Sequence, residues 1–246
     1  MANVQRLTTN RMNISGFVKN SLIDYPGKIA SVIFTQGCNM RCKFCQNYQL
    51  LPSGKADSLF FCEQEIFSYL ESRAGFLDAL VISGGEPTLQ PDLEEFVKRV
   101  KSMGLMVKLD TNGTHPQLLK RLIDQELIDY VAMDIKAPLD LSSYRDLVGD
   151  NFSEPMMDHV LESVSILMCS NIVYEFRTTL IRQCHSTESI NIMCKQLKGA
   201  SNYTLQQFSP ENVLDDAFSH LNSYSIDELE QIGDDNSSLI SHIRAV

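Results

Sequence analysis

Short β-branched runs alternate with helix-length stretches along the chain, and this rhythm limits the fold more than any other feature. The runs 30–35, 79–83, 106–109, 130–135, 172–181 and 203–208 are apolar and rich in Val, Ile, Leu and aromatic residues, as buried strands are. Between them, 62–71, 91–103, 117–124, 156–168 and 188–197 read as helices. In 91–103 the apolar residues Leu93, Phe96, Val97 and Val100 fall at helical spacing. A last helix is expected over 226–243, interrupted near Gly233. Strands alternating with helices of about ten residues build βαβ units and a parallel sheet. Periodicity alone leaves two α/β architectures open, a doubly wound sheet and a barrel, complete or incomplete. In either, the polar residues that close each strand gather at the carboxyl edge of the sheet, where such folds place their sites.

Composition narrows the chemistry. The 246 residues are 43% hydrophobic and 21% charged, ordinary values for a globular chain, and they suit one domain over 1–246. A formal net charge of −10 weighs against nonspecific nucleic-acid binding, which needs Lys and Arg to neutralise phosphates. The opening residues Met-Ala-Asn-Val-Gln-Arg lead into no apolar signal segment. The longest apolar runs fall far short of the ~18–20 residues that span a bilayer. The expectation is a cytoplasmic protein with neither a membrane nor a nucleic-acid partner.

Seven cysteines, at 38, 42, 45, 62, 169, 184 and 194, are an odd number in a chain of this length, which argues against a disulfide framework. Three of them form C-x3-C-x2-C in Gly37-Cys38-Asn39-Met40-Arg41-Cys42-Lys43-Phe44-Cys45, directly after a strand. Zinc would need a fourth Cys or His to close a tetrahedral site. The next cysteine, Cys62, lies 17 residues on and opens a helix. Cys38, Cys42 and Cys45 can instead occupy three corners of a 4Fe–4S cube, leaving the fourth iron open to a substrate. The remaining four cysteines read as buried structural thiols. The five histidines show no ligand spacing, and none is given a role.

The spacing, with Phe44 as the aromatic before the third cysteine, resembles the hallmark of the radical S-adenosylmethionine (SAM) superfamily. The stretch Gly16-Phe17-Val18-Lys19-Asn20-Ser21-Leu22-Ile23-Asp24-Tyr25-Pro26-Gly27-Lys28, continuing to Gln46-Asn47, is similar to the activating proteins of anaerobic ribonucleoside-triphosphate reductases, which are glycyl-radical activases. The motif order is similar from about Gly16 to Asp215. The resemblance implies a partial (β/α)6 barrel of TIM type, with parallel strands and outer helices. It implies a 4Fe–4S cluster on Cys38, Cys42 and Cys45, with SAM as cofactor.

Further motifs close successive strands. Gly84-Gly85-Glu86-Pro87 resembles the family's GGEP, in which absent side chains let backbone approach a ligand, and Glu86 is expected to anchor the methionine ammonium. Asp110-Thr111-Asn112-Gly113 resembles DTNG, which contacts the methionine end. Asp134-Ile135-Lys136 resembles the D-x-K pair near the cofactor. Arg177 and Thr179 share one face of their strand, because strand side chains alternate, and are expected to meet the cofactor or an incoming glycine loop. Gln206, Phe208, Pro210 and Asn212 are expected to border the adenosine or that loop. Asp110 and Asp134 are further expected to share a monovalent cation.

The implied activity is reductive cleavage of SAM and formation of a glycyl radical on a partner. The leading partner is the large subunit of anaerobic ribonucleotide reductase, with a flavodoxin or ferredoxin-type protein supplying the electron. Tyr25-Pro26-Gly27 is expected to help recognise that partner. The absence of a ferredoxin-like insert favours the smaller reductase or formate-lyase type of activase. Two rivals remain. One is a radical SAM enzyme acting on a small molecule, for example in deazaguanine formation, since fold does not dictate substrate. The other is an iron–sulfur or zinc scaffold without enzymatic activity.

Overall fold

The computed structural model describes residues 12–51, 61–236 and 240–244. Eight strands form one sheet in chain order: β1 (Ile14–Ser21), β2 (Ala30–Thr35), β3 (Ala79–Gly84), β4 (Met106–Thr111), β5 (Tyr130–Asp134), β6 (Val173–Leu180), β7 (Tyr203–Gln207) and β8 (Ile240–Arg244). β1 runs antiparallel to β2, and every later neighbour pair is parallel. Seven helices accompany them: α1 (Glu63–Ser72), α2 (Leu93–Ser102), α3 (Pro116–Asp124), α4 (Leu141–Val148), α5 (Glu154–Cys169), α6 (Thr187–Gln196) and α7 (Ile226–Asp235). The six strands expected from sequence are β2 to β7, and β8 adds a seventh parallel strand beside β7. Among the described residues no helix is long and apolar enough to cross a membrane.

Strand alternation separates two surfaces. In β4, Val107 and Leu109 join the large apolar layer between sheet and helices. Lys108 and Asp110 lie on the other face and pair with each other. In β2, β3 and β5 the same alternation sends Ile33, Ile82 and Met133 to the outer layer. Val32, Val81 and Ala132 form a small inner cluster with Ala30, Ala79, Tyr25 and Tyr130. Helix α2 shows why the outer layer holds. Leu93, Phe96, Val97 and Val100 are all buried, and each contributes roughly 1.5–3 kcal/mol by leaving water.

Three elements differ from the sequence expectation. The stretch 226–243 is not one helix. Helix α7 opens on a capping box, Ser225 with Glu228, and ends before Asn236; β8 follows and extends the sheet. Gly233 does not interrupt the helix but seats it on β8. A Cβ there would come 3.0 Å from the Ile243 side chain. Helix α4, which periodicity did not reveal, has only eight residues, held by Asp140 accepting from the Ser143 amide (2.9 Å) and by buried Tyr144, Leu147 and Val148. Strand β1 lies on the sheet edge, where polar side chains mask its pattern.

Tyr25 also departs from expectation. It is buried, its ring centroid 5.5 Å from that of Tyr130, and its hydroxyl lies 3.8 Å from Met106 Sδ. Met106 and Tyr130 begin their strands, so Tyr25-Pro26-Gly27 sits at the amino edge of the sheet. The polar motifs close the opposite edge. Tyr25 packs into the inner cluster at the barrel base, while Pro26 and Gly27 beside it are exposed. Tyr25→Ala should therefore lower stability by about 3 kcal/mol in urea unfolding, while the folded fraction still cleaves SAM.

Candidate active site

The thiol-bearing loop leaves β2 and is held in place by the chain itself. The Gly37 amide donates to Leu50 O (2.7 Å), and Gly37 O accepts from the Glu86 amide (2.7 Å). The Arg41 and Lys43 amides donate to Val148 O and Leu147 O, both at 2.9 Å. A helix leaves its last carbonyls without internal partners, and α4 presents two of them to this loop. Asn151 Nδ2 donates to Asn39 O (3.0 Å), and the Asp215 amide donates to Lys43 O (2.9 Å).

The two glycines after β3 admit this loop. Gly84 has φ +123°, in the region that favours glycine, and a Cβ there would come 2.2 Å from the Thr35 amide nitrogen. At Gly85 a Cβ would come 1.9 Å from Gly37 O. The close approach is thus to the loop's own backbone. Glu86 is buried and accepts from four donors: the Thr88 amide (3.1 Å), the Thr88 hydroxyl, the Thr111 hydroxyl (2.8 Å) and the Asn112 amide (2.7 Å). Burial pushes its carboxyl pKa up against those hydrogen bonds. Glu86 therefore fastens the end of β4 to the turn after β3, a structural task that the expected ammonium contact did not include. Asn112 Nδ2 in turn donates to Asn39 Oδ1 (2.9 Å) and lies 3.8 Å from Cys38 Sγ.

Charges on β4, β5 and β6 form a continuous array. Lys108 Nζ donates to Asp110 (2.6 Å) and Lys136 Nζ to Asp134 (2.9 Å). Arg177 bridges the carboxylates, its Nε 2.9 Å from Asp134 Oδ1 and its Nη1 3.5 Å from Asp110 Oδ2. Burial disfavours the charged forms of Asp110, Asp134, Lys136 and Arg177, yet the partners outweigh it. Arg177 and Lys136 hold Asp134 at about 2. Asp110 lies below the usual carboxylate range through Arg177 and Lys108. Lys136 and Arg177 are held above their ordinary values by the carboxylates. Arg177 thus bridges the two carboxylates that were expected to share a monovalent cation. Lys136 is the cation of this array that acts on the thiols, and Glu86 faces Cys38 with the opposite sign.

The cysteine loop and the charged array open onto one cavity of about 270 Å³ at the carboxyl edge, which Lys108 does not reach. It is bordered by Cys38, Cys42, Cys45 and Phe44 from the loop and by Gly84, Gly85 and Glu86 from β3. Asp110 and Thr111 close β4 with Asn112 just after them, and Asp134 closes β5 with Lys136 two residues on. Arg177 and Thr179 of β6 face it together, as alternation requires, and Gln206 and Phe208 complete the wall with Gln46 and Asn47. Lys136 Nζ sits 5.8 Å from the Phe44 ring centroid. Burial pushes the thiols up, Cys38 to about 11 and Cys42 to about 12; Lys136 opposes this at all three. Among the described residues no three Cys, His, Asp or Glu side chains converge as a single metal ion requires. Three thiols and no histidine border the cavity, a donor set that fits three corners of a 4Fe–4S cube, whereas tetrahedral zinc calls for a fourth Cys or His. Of the remaining cysteines only Cys194 is buried; Cys62 and Cys169 are exposed and Cys184 is half-buried, so the expectation of buried structural thiols fails for these three.

Two histidines also support this edge, with no spacing signal to reveal them. The buried His185 accepts from the Ile181 amide at Nδ1 (3.0 Å), which leaves Nε2–H to donate to Lys136 O (2.9 Å). It ties the end of β6 to the D-x-K segment. His115 touches both Thr88 and Thr114.

Comparison with known proteins places this geometry in a class. The Radical SAM superfamily model matches residues 32–167, and the chain belongs to that superfamily, whose members use a 4Fe–4S cluster and SAM. It is a radical SAM enzyme homologous to the glycyl-radical enzyme activating enzymes. A Methanocaldococcus jannaschii protein, carried under that name provisionally, is 38% identical over 89% of this chain and 90% of its own. A pyruvate formate-lyase-activating enzyme of Listeria monocytogenes is 33% identical over 46% of this chain and 49% of its own. A radical SAM methyltransferase from Sphaerobacter thermophilus shares the fold, with TM-score 0.70 and 16% identity over 90% of this chain and 67% of that one. QueE from Escherichia coli does so with TM-score 0.54 and 14% identity over 94% and 93%.

Two outcomes follow from this geometry. Gly85→Ala drives a methyl into Gly37 O; a loss on the order of 3 kcal/mol is expected in urea unfolding, with reduced iron uptake on reconstitution. Burial also holds His185 below its usual pKa. The unfolded chain takes up that proton below about pH 6.5 while the folded chain does not, so stability falls as pH drops through that range. Urea midpoints between about pH 7.5 and 5.5 should show the decline, and His185→Gln should flatten it.

Proposed function

We propose that Cys38, Cys42 and Cys45 hold the 4Fe–4S cluster, that the rest of this cavity binds SAM, and that the enzyme forms a glycyl radical on the large subunit of an anaerobic ribonucleoside-triphosphate reductase. The observation that carries the reading is the convergence of the thiol loop, Gly84-Gly85-Glu86, Asp110-Thr111-Asn112, Asp134 with Lys136, and Arg177 with Thr179 on one cavity. When bound, the cluster and SAM supply a 5′-deoxyadenosyl radical that abstracts a hydrogen atom from the substrate.

The chain's own residues bind and orient. Lys136 and Arg177 offer charge-assisted donors to a carboxylate such as that of methionine. Glu86 keeps the β3 and β4 ends in register. Phe44 supplies an apolar face, and Thr179, Gln206 and Phe208 border the space left for the adenosine or for a glycine loop. The reductase assignment rests on the Gly16–Lys28 stretch with Gln46-Asn47, and the activating class on the 38% identical relative. The electron is assigned to a flavodoxin or ferredoxin-type donor.

The test is anaerobic reconstitution with iron and sulfide, followed by reduced flavodoxin, SAM and candidate partners. About four irons per chain, 5′-deoxyadenosine, and a glycyl radical in electron spin resonance with the reductase are expected; Cys38→Ser should abolish all three. A radical on pyruvate formate-lyase but none on the reductase would overturn the partner.

A further inference from the structure

His115 is the half-buried residue before Pro116, which opens α3. Its Nδ1 lies 3.1 Å from Thr88 Oγ1 and 3.2 Å from Thr114 Oγ1. Each hydroxyl has one proton to give. Thr88 donates to Glu86 Oε1. Thr114 donates to Asn112 Oδ1 at 2.7 Å. The Asn112 amide is oriented by its neighbours. Its oxygen accepts from the Thr114 backbone amide (3.0 Å), so its nitrogen faces Asn39 Oδ1. Asn39 Nδ2 then donates to Thr114 Oγ1 (2.8 Å). With both threonine protons committed, neither hydroxyl can donate to the imidazole. Nδ1 must carry the proton and donate to the two oxygens.

We infer that His115 is a positioning residue for the SAM pocket: its Nδ1–H is shared by Thr88 and Thr114, and through them it fixes Glu86 and Asn112. The two threonines lie on different segments, one after β3 and one after β4. His115 therefore couples the GGEP-like and DTNG-like segments from outside the cavity. Neither threonine lines the cavity. His115 also borders a surface cleft of about 310 Å³ with Gln117, Glu94 and Arg121. Burial lowers the pKa of this imidazole, which accords with a neutral ring at working pH. The inference rests on the cavity being the SAM site and is independent of which partner receives the radical.

The primary test compares His115→Ala, His115→Asn and His115→Gln in reconstituted enzyme, scoring uncoupled 5′-deoxyadenosine formation against SAM concentration. An Asn amide nitrogen can occupy the Nδ1 position, whereas Gln reaches towards Nε2. His115→Ala and His115→Gln should raise KM for SAM about tenfold, with kcat within about twofold, and His115→Asn should recover most of the loss. Unchanged KM in His115→Ala, or His115→Asn as impaired as His115→Ala, would overturn the inference. A second readout needs no cluster. In the ¹⁵N-histidine-labelled full chain before reconstitution, the resonance lost in His115→Asn should show protonated Nδ1; protonated Nε2 overturns the inference. Should the His115 variants fail to fold, Thr88→Val and Thr88→Ser give the same contrast. A raised KM restored by serine supports the coupling, and equal KM values for the two refute it. If SAM is not cleaved by the wild type at all, the site assignment fails instead, whatever the tautomer.

Discussion

Everything at the carboxyl edge depends on a contact between two stretches of backbone. β2 and β3 pair in parallel to their ends, with Thr35 beside Gly84, so the loops after them emerge side by side. Two consecutive residues without side chains let Gly37 settle onto Gly85, where the Glu86 amide donates to Gly37 O. That places the three thiols over the turn carrying Glu86. Glu86 in turn grips the Thr111 hydroxyl and the Asn112 amide after β4. Each strand end is thus registered on the next, and the motif order in the sequence becomes the order of walls around the cavity.

The charged array on β4, β5 and β6 is a poor source of stability. Desolvation opposes Asp110, Asp134, Lys136 and Arg177, and replacing a buried ion pair by apolar groups is often neutral or stabilising. Its geometry is better explained by positioning. Lys108, Asp110, Arg177, Asp134 and Lys136 alternate in sign, so each charge has an opposite neighbour. Lys136 ends the series beside Phe44 and the cysteine loop. A carboxylate-bearing ligand meets donors whose orientation is already fixed, so little ordering is left for the binding event.

The strand–helix rhythm was legible because β2 to β7 are buried on both faces and read as apolar runs. The cavity was legible because its polar residues sit at strand ends in short motifs. What escaped had specific causes. β1, on the sheet edge, exposes Lys19 and Asn20. β8 follows α7 so closely that the apolar spacing of 226–243 merged into one apparent helix. α4 is too short for its period to show. Arg177 was placed on the correct face, but that it fills the gap between Asp110 and Asp134 follows from the Asp134–Arg177 strand pairing. Tyr25 looked like a recognition residue because its segment carries the family likeness; its burial against Tyr130 depends on a turn that no local pattern encodes. His185 and His115 act through backbone and hydroxyl partners far away in sequence.

The hydrogen bonds from α4, Leu50, Asn151 and Asp215 to the cysteine loop have one more consequence. Small metal domains such as zinc fingers fold only when loaded, since the ion supplies their order. Here hydrogen bonds from four separate segments of the polypeptide hold the cysteine loop. An insertion or deletion in α4 would therefore be felt at the thiols, although that helix bears none of the motif residues.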